Sequence, residues 1–303
     1  MVCKMKGKNM KNIIITGANG QLGRAISNKL KKQEDVNVIK TDILEENDIT
    51  SLDITNLNQV MDFIENKRPY AIINCAAYTN VDGCEKDWDG AYKLNSIGPR
   101  NLSIAAEKFD AKIVHISTDY VFSGDGDRPY TEFDTPSPIS AYGKTKLAGE
   151  EFVKQFSNKY FIIRTAWLYG DGKNFVKTML RLSETMQEIS VVDDQLGSPT
   201  STEVLSNIIE ELLWTENYGT FHGTCEGICS WAEFTEEIFR IMNIKTKVNF
   251  ISSNEYARQH PDAASRPAYS VLDNYMLKIT NGYVADDWKK AIKVYLNDIN
   301  NQK

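Results

Sequence analysis

Ile13-Ile-Ile-Thr-Gly17-Ala-Asn-Gly20-Gln-Leu-Gly23 is the stretch from which the rest of the chain can be read. A β-branched apolar run passes straight into glycines spaced three apart, and a helical pattern, Gln21–Lys32, begins inside the motif. In such a strand–turn–helix unit the glycines permit a tight turn, bring backbone N–H groups close to a pyrophosphate, and let the helix pack tightly on the strand with its positive end facing the anion. The reading is a dinucleotide-binding loop over Gly17, Gly20 and Gly23. An ordinary glycine-rich loop is the bland alternative, and the flanking strand and helix weigh against it. Asp42 ends the next β-rich run about 20 residues on, where an acid takes ribose hydroxyls and repels a 2′-phosphate. No arginine follows it before Arg68. NADH is therefore expected to serve at least as well as NADPH. Asp53-Ile54 follows, placed either to reach the adenine or, in the case of the acid, to cap a helix.

Outward from the loop, β-rich runs recur at Val36–Lys40, Ala71–Cys75, Lys112–Ser117 and Tyr160–Thr165, and helical segments at Asn56–Lys67, Trp88–Lys108 and Ala141–Phe156 lie between them. That alternation predicts an α/β fold, a doubly wound parallel sheet (Rossmann-type) with both faces covered. After Tyr160 the rhythm loosens into turn-rich stretches, Tyr169–Asn174 and Asp193–Thr200, and an aromatic-rich final third. The expectation is a dinucleotide-binding domain over 10–165, with further sheet and helix segments at about 186–218. A smaller C-terminal substrate-binding lobe over 166–303 is partly interleaved with it.

Composition sets outer limits. With 42% apolar and 25% charged residues the chain sits in the ordinary soluble range, and no apolar run approaches the roughly 20 residues that span a bilayer. The first eleven residues carry four lysines without an apolar core, so they do not read as a signal peptide, and Met10 is a candidate start. A net charge of −6 with scattered lysines gives nucleic acid no field to follow. Cys3, Cys75, Cys84, Cys225 and Cys229 are an odd set in a chain too large to need staples, which fits reduced thiols and a cytoplasmic location. The Cys225–Cys229 pair has only His115, His222 and His260 for company, none within helical reach of another, so no metal is expected.

Tyr142-Gly-Lys-Thr-Lys146 puts a phenol and an ammonium on one face of a helix. Tyrosine, with an ordinary pKa of about 10, is a poor acid–base group at neutral pH, and a fixed cation beside it would bring it towards the working range. Such pairs are common on solvated helix faces. Here, however, the run Ile113–Ser117 leads into Thr118-Asp119 at the same sheet edge, supplying a hydroxyl for the carbonyl that Tyr142 would protonate.

These motifs resemble the extended short-chain dehydrogenase/reductases, and within them the dTDP-4-dehydrorhamnose reductase branch. The resemblance runs through Gly17–Gly23, Asn74-Cys-Ala-Ala-Tyr-Thr-Asn-Val-Asp82, Ser117-Thr-Asp-Tyr-Val-Phe122, Tyr142–Lys146, Leu147-Ala-Gly-Glu150, Arg164-Thr-Ala-Trp167 and Asp194-Gln-Leu-Gly-Ser-Pro-Thr200. It implies NAD(P)H-dependent reduction of a nucleotide-linked 4-keto-sugar. Tyr142 would be the proton donor, Lys146 would bind the nicotinamide ribose and tune the phenol, and Thr118 would complete the triad. It implies that Gly20, Gln21 and Leu22 face the pyrophosphate, that Asp42, Asp53 and Ile54 lie at the adenosine end, and that Ala77, Tyr78 and Thr79 line the middle of the cofactor. The sugar nucleotide would meet Val81, Asp82, Thr118, Asp119, Trp167, Gln195 and Arg266. For Trp167 and Arg266 core filling and a surface cap are even rivals. Some relatives bridge a homodimer through magnesium held by glutamates. No matching glutamates are found here, which leaves magnesium unsupported and the dimer open.

Other functions of the same fold are less well matched. A sugar-nucleotide dehydratase needs an Asp-Glu pair after the threonine, and Asp119-Tyr120 stands there. Epimerases carry a serine-rich string instead. A non-catalytic regulatory subunit, as in methionine adenosyltransferase, would not need Thr118, Tyr142 and Lys146 together.

Overall fold

The computed structural model describes residues 10–301, so Cys3 and the segment before Met10 lie outside the described residues. The chain runs β1 (Lys11–Thr16), α1 (Gln21–Leu30), β2 (Val36–Asp42), β3 (Ile49–Ser51), α2 (Leu57–Lys67), β4 (Ala71–Asn74), α3 (Val81–Lys86) and α4 (Trp88–Tyr92). A π-helical turn at Lys93–Ile97 leads to α5 (Gly98–Lys108), β5 (Lys112–Thr118), a short 3₁₀ turn at Asp119–Val121, α6 (Ala141–Phe156) and β6 (Tyr160–Thr165).

Strand and helix alternate because the strands are apolar on both faces. Ile13, Ile15, Ile73, Val114 and Ile163 point to one side of the sheet and pack with Leu22, Ile26 and Leu30 of α1. Their neighbours Ile14, Ile72, Ile113 and Ile162 point to the other, against Val60 and Ile64 of α2 and Leu102, Ala105 and Ala106 of α5. Period-2 alternation thus feeds two cores rather than a core and a solvent face. Each such Ile, Val or Leu side chain, fully buried, contributes about 1.5–3 kcal/mol.

Beyond β6 come β7 (Leu168–Tyr169), α7 (Phe175–Ser183), β8 (Glu188–Val192), β9 (Leu196–Gly197), β10 (Thr200–Ser201), α8 (Thr202–Leu213) and β11 (Gly219–His222). The chain continues through β12 (Cys229–Ser230), α9 (Trp231–Met242), β13 (Lys247–Ile251), α10 (Ser253–Gln259), α11 (Tyr275–Asn281) and α12 (Trp288–Asn301). The main sheet is parallel throughout and ordered β11-β6-β5-β4-β1-β2-β3. The order reverses between β1 and β4, and a ligand crevice opens at the carboxyl ends of strands at such a switch point.

Three details depart from the sequence reading. Strand β8 does not join the main sheet; it pairs in parallel with β13 in the smaller lobe, so of 186–218 only α8, packed on α1, sits with the sheet. The edge strands β3 and β11 are too short and too mixed to announce themselves. The helix expected over Trp88–Lys108 is broken by the π-turn, because Pro99 has no N–H to give the carbonyl of Asn95. No helix among the described residues is long and apolar enough to cross a membrane.

Candidate active site

Two neighbouring cavities lie along the carboxyl edge of the sheet. One of about 650 Å³ is bounded by Gly17, Asn19, Gly20, Asp42, Asp53, Ile54 and Ala77. The other, about 620 Å³, is bounded by Gly20, Gln21, Leu22, Gly23, Ala77, Thr79, Val81, Thr118, Asp119, Tyr142, Lys146, Trp167 and Arg266. Gly20, Cys75 and Ala77 border both.

The first cavity exists because the turn after β1 is held open by backbone alone. Gly17 has φ +64°, and a Cβ there would sit 2.6 Å from the backbone nitrogen of Ala76. Only glycine fits, so loop and strand end approach each other without side chains between them. Asp42 takes part from below: its carboxylate accepts the N–H of Asn19 at 2.9 Å and of Ile43 at 2.8 Å. Asp53 accepts from the N–H and hydroxyl of Thr55, a local turn, and the cap of α2 is Asn56 instead.

The second cavity is floored by β5 and walled by α6. Ser140 caps α6 through the N–H of Gly143, and a Cβ on Gly143 would lie 2.1 Å from the carbonyl oxygen of Tyr120. That close approach brings Tyr142 beside the end of β5, where its ring meets Tyr120 edge-on with centroids 5.5 Å apart. Tyr142 and Thr118 border the same cavity. The Thr118 hydroxyl donates to Asp119 Oδ1 at 2.9 Å and accepts the N–H of Tyr120 at 3.2 Å. Burial pushes the Tyr142 phenol above its ordinary value, with the nearby Thr118 hydroxyl pulling the other way. Burial likewise raises the Asp119 carboxyl to about 6.

Lys146 stands one helical turn on. Burial lowers its ammonium to about 8, and its Nζ donates to the carbonyl oxygen of Ile116 at 2.6 Å. The expected tuning of Tyr142 by an adjacent cation is thus corrected for this geometry: the ammonium is turned towards β5, and burial dominates the phenol.

Of the remaining expected residues, Tyr78 lies in a small apolar cluster with Cys84, Ala91, Ala141 and Tyr142 rather than on the cavity wall. Asp82 holds a loop: it accepts the N–H of Ala264 at 2.8 Å and lies 3.6 Å from Arg266, whose side chain borders the cavity. Gln195 is not brought to the cavity, because its amide donates to Ser253 of α10. Trp167 borders the cavity in a left-handed conformation, φ 49°, stacked on Trp231 with centroids 3.5 Å apart, so it is wall and packing at once.

Several residues were missed by reading motifs. Asn95, in the π-turn, fixes Tyr78 through its backbone N–H and carbonyl and donates to Thr145 Oγ1 on α6. The Gly98-Pro99 pair inside an expected helix was its sequence signal. Glu150 and Arg164, which stand in the strings Leu147–Glu150 and Arg164–Trp167 without an assigned role, form a buried bidentate pair that also holds Ser117, and Trp231, which no spacing marked, backs Trp167.

The residues suit a dinucleotide. The glycine cradle would be filled by any Cβ at Gly17, and Gln21 Oε1, Thr165 Oγ1 and Asp119 Oδ2 are buried beside the second cavity without a partner in the chain.

The family described as RmlD substrate binding domain matches residues 10–301. The chain is similar to the spore coat polysaccharide biosynthesis protein SpsK of Bacillus subtilis, with 38% identity over 95% of this chain and 98% of that one. It is similar to the crystal structure of a dTDP-4-dehydrorhamnose reductase from Clostridium acetobutylicum, with 52% identity over 95% and 99% of the two chains and a TM-score of 0.90. The Bacillus anthracis dTDP-4-dehydrorhamnose reductase, solved in complex with NADP, shares 44% identity over 95% and 99% of the chains at a TM-score of 0.89. With the fold and the glycine loop of an NAD(P)-dependent oxidoreductase, the chain belongs to the dTDP-4-dehydrorhamnose reductase family.

Proposed function

We propose that this chain reduces the C4 ketone of dTDP-4-dehydro-6-deoxy-L-mannose (dTDP-4-dehydrorhamnose) to the alcohol of dTDP-L-rhamnose. The supporting observation is the meeting of Tyr142, Thr118 and Lys146 in one cavity that borders the glycine loop. NADH or NADPH, when bound, supplies the hydride. Gly17, Gly20, Gln21, Leu22 and Gly23 would hold the pyrophosphate, with Asp42, Asp53 and Ile54 at the adenosine and Ala77 and Thr79 between.

The other tasks fall to the chain. Tyr142 is the general acid for the sugar oxygen: its raised pKa keeps the phenol protonated until an oxyanion develops. Thr118 orients the phenol, and becomes free to donate to the sugar oxygen itself when Asp119 is protonated. Lys146 is within the same wall and would reach the ribose once released from Ile116. Val81, Trp167 and Arg266 would meet the sugar nucleotide, with Arg266 offering the charge for its phosphates and Asp82 steadying it. The two domains proposed are the sheet with its helices, 10–165 joined by α8 and β11, and the lobe that supplies the opposite wall.

The assay is oxidation of NADH or NADPH dependent on pure keto-sugar, with the product identified by NMR. A dTDP-L-rhamnose product supports the reading. Cofactor binding without turnover of any nucleotide-linked keto-sugar would favour a non-catalytic binding subunit of the same fold.

A further inference from the structure

Behind Lys146 runs a line of buried polar side chains that the reaction as described leaves unused. Asn74 closes β4, and its Oδ1 accepts the N–H of Ala76 at 3.2 Å and the hydroxyl of Thr16, the last residue before the glycine loop, at 2.7 Å. A backbone N–H can only donate, so the amide orientation is fixed and Nδ2 is the end that faces His115. Asn74 Nδ2 lies 3.0 Å from His115 Nδ1. That nitrogen must therefore be the bare acceptor. The ring is fully buried, and burial, with the charge of Lys146 second, holds it well below its ordinary pKa. It is neutral, so its one proton sits on Nε2, which lies 3.5 Å from Lys146 Nζ.

A donor thus faces a donor. While Lys146 is an ammonium no hydrogen bond can form across that gap, which accords with its length beside the 2.6 Å bond to Ile116. Once Lys146 becomes an amine, its lone pair can accept from Nε2–H. Resting on the reading of Lys146 given above, we propose that His115 is a positioning residue whose Nε2–H, fixed by Asn74 and Thr16, favours the amine form of Lys146 and readies it to release a proton. The relay ties the glycine loop of β1 to the catalytic helix across β4 and β5. The other groups acting on the amine are Glu150 on α6, paired with Arg164 of β6, and the Cys75 thiol after β4, pushed up to about 12 by burial; Tyr142 stands a turn away on the same helix.

The test begins without substrate, so its failure is distinguishable from failure of the proposed reaction. Long-range ¹H–¹⁵N spectra of the full chain, with His115 assigned by loss of its signals in His115→Phe, should report the Nε2–H tautomer unchanged from pH 5.5 to 9. A Nδ1–H tautomer, or an imidazolium in that range, overturns the proposal. Asn74→Asp presents an acceptor to Nδ1, so the ring should switch to Nδ1–H and turn a bare Nε2 to the ammonium. The alkaline limb of kcat should then rise by about one pH unit or more, and in His115→Phe by about half a unit to one. Limbs unmoved in both folded variants, with only the melting temperature lowered, would mean that His115 merely fills space.

Discussion

The hydroxyl of Thr118 gives its only proton to Asp119 Oδ1 at 2.9 Å, and the other oxygen of that carboxylate is buried without a partner in the chain. The arrangement stores a cost. Burial raises Asp119 from 3.8 to about 6, so the folded protein binds a proton that the unfolded chain has released across that interval. A raised carboxyl penalises the folded state above pH 6 and not below 4, by about 3 kcal/mol at 1.36 kcal/mol per pH unit. Urea denaturation at several pH values should show stability falling from pH 4 to 6.5 relative to Asp119→Asn. Parallel profiles for the two proteins would show that Asp119 is not strained by its burial.

Glu150 and Arg164 pair at 2.7 Å with both side chains almost wholly buried, and Ser117 donates to the same carboxylate. Breaking a buried pair from one side leaves an uncompensated charge and costs about 3–5 kcal/mol. Glu150→Ala should lower stability by that amount, whereas Glu150→Leu combined with Arg164→Met should recover much of it. Chemical denaturation of the three variants decides this. Equal losses in the single and double variants would mean that the pair is needed for more than charge balance.

At the adenosine end, Asp42 is fixed by two backbone N–H groups, and the cations in the adjoining cavity of about 250 Å³ are already engaged, Lys40 with Asp48 and Arg24 with Asp171. Asp42 repels a 2′-phosphate at this end, so kcat/KM with NADH should equal or exceed that with NADPH, with Lys93 the cation bordering the adenosine cavity that would have to offset that repulsion. A tenfold or greater preference for NADPH would show that Lys93, or Arg24 or Lys40 after a change of partner, takes the 2′-phosphate.

Much of this was legible in the sequence because the signals were local. The strand–glycine–helix unit, the Tyr142–Lys146 spacing and the apolar strands each depend on neighbours along the chain, and the five principal strands stand where their apolar runs lie. What was hidden depended on distant partners. No local pattern tells that Gln195 will bond Ser253, that Pro99 will free a carbonyl against Gly149, or that a histidine two residues before Ser117 will be locked by Asn74. The direction in which Lys146 turns was equally out of reach, since it is set by the carbonyl of Ile116 on another element.

Lys146→Ala should hurt twice, raising the cofactor Kd and lowering kcat, and should remove the alkaline limb that the ammonium sets. In the parent enzyme kcat should fall above about pH 8, where the ammonium is lost. A change confined to cofactor binding would assign Lys146 to positioning alone.

The central claim is that Tyr142 gives the proton, and it is tested most directly by the kcat of Tyr142→Phe on the keto-sugar alongside its cofactor Kd. Removing one oxygen from a buried phenol should lower kcat by about 10²–10⁴, the value of a positioned general acid, while cofactor affinity stays nearly unchanged. A Tyr142→Phe enzyme that turned over at close to the normal rate would contradict the account, because another group would then be supplying the proton.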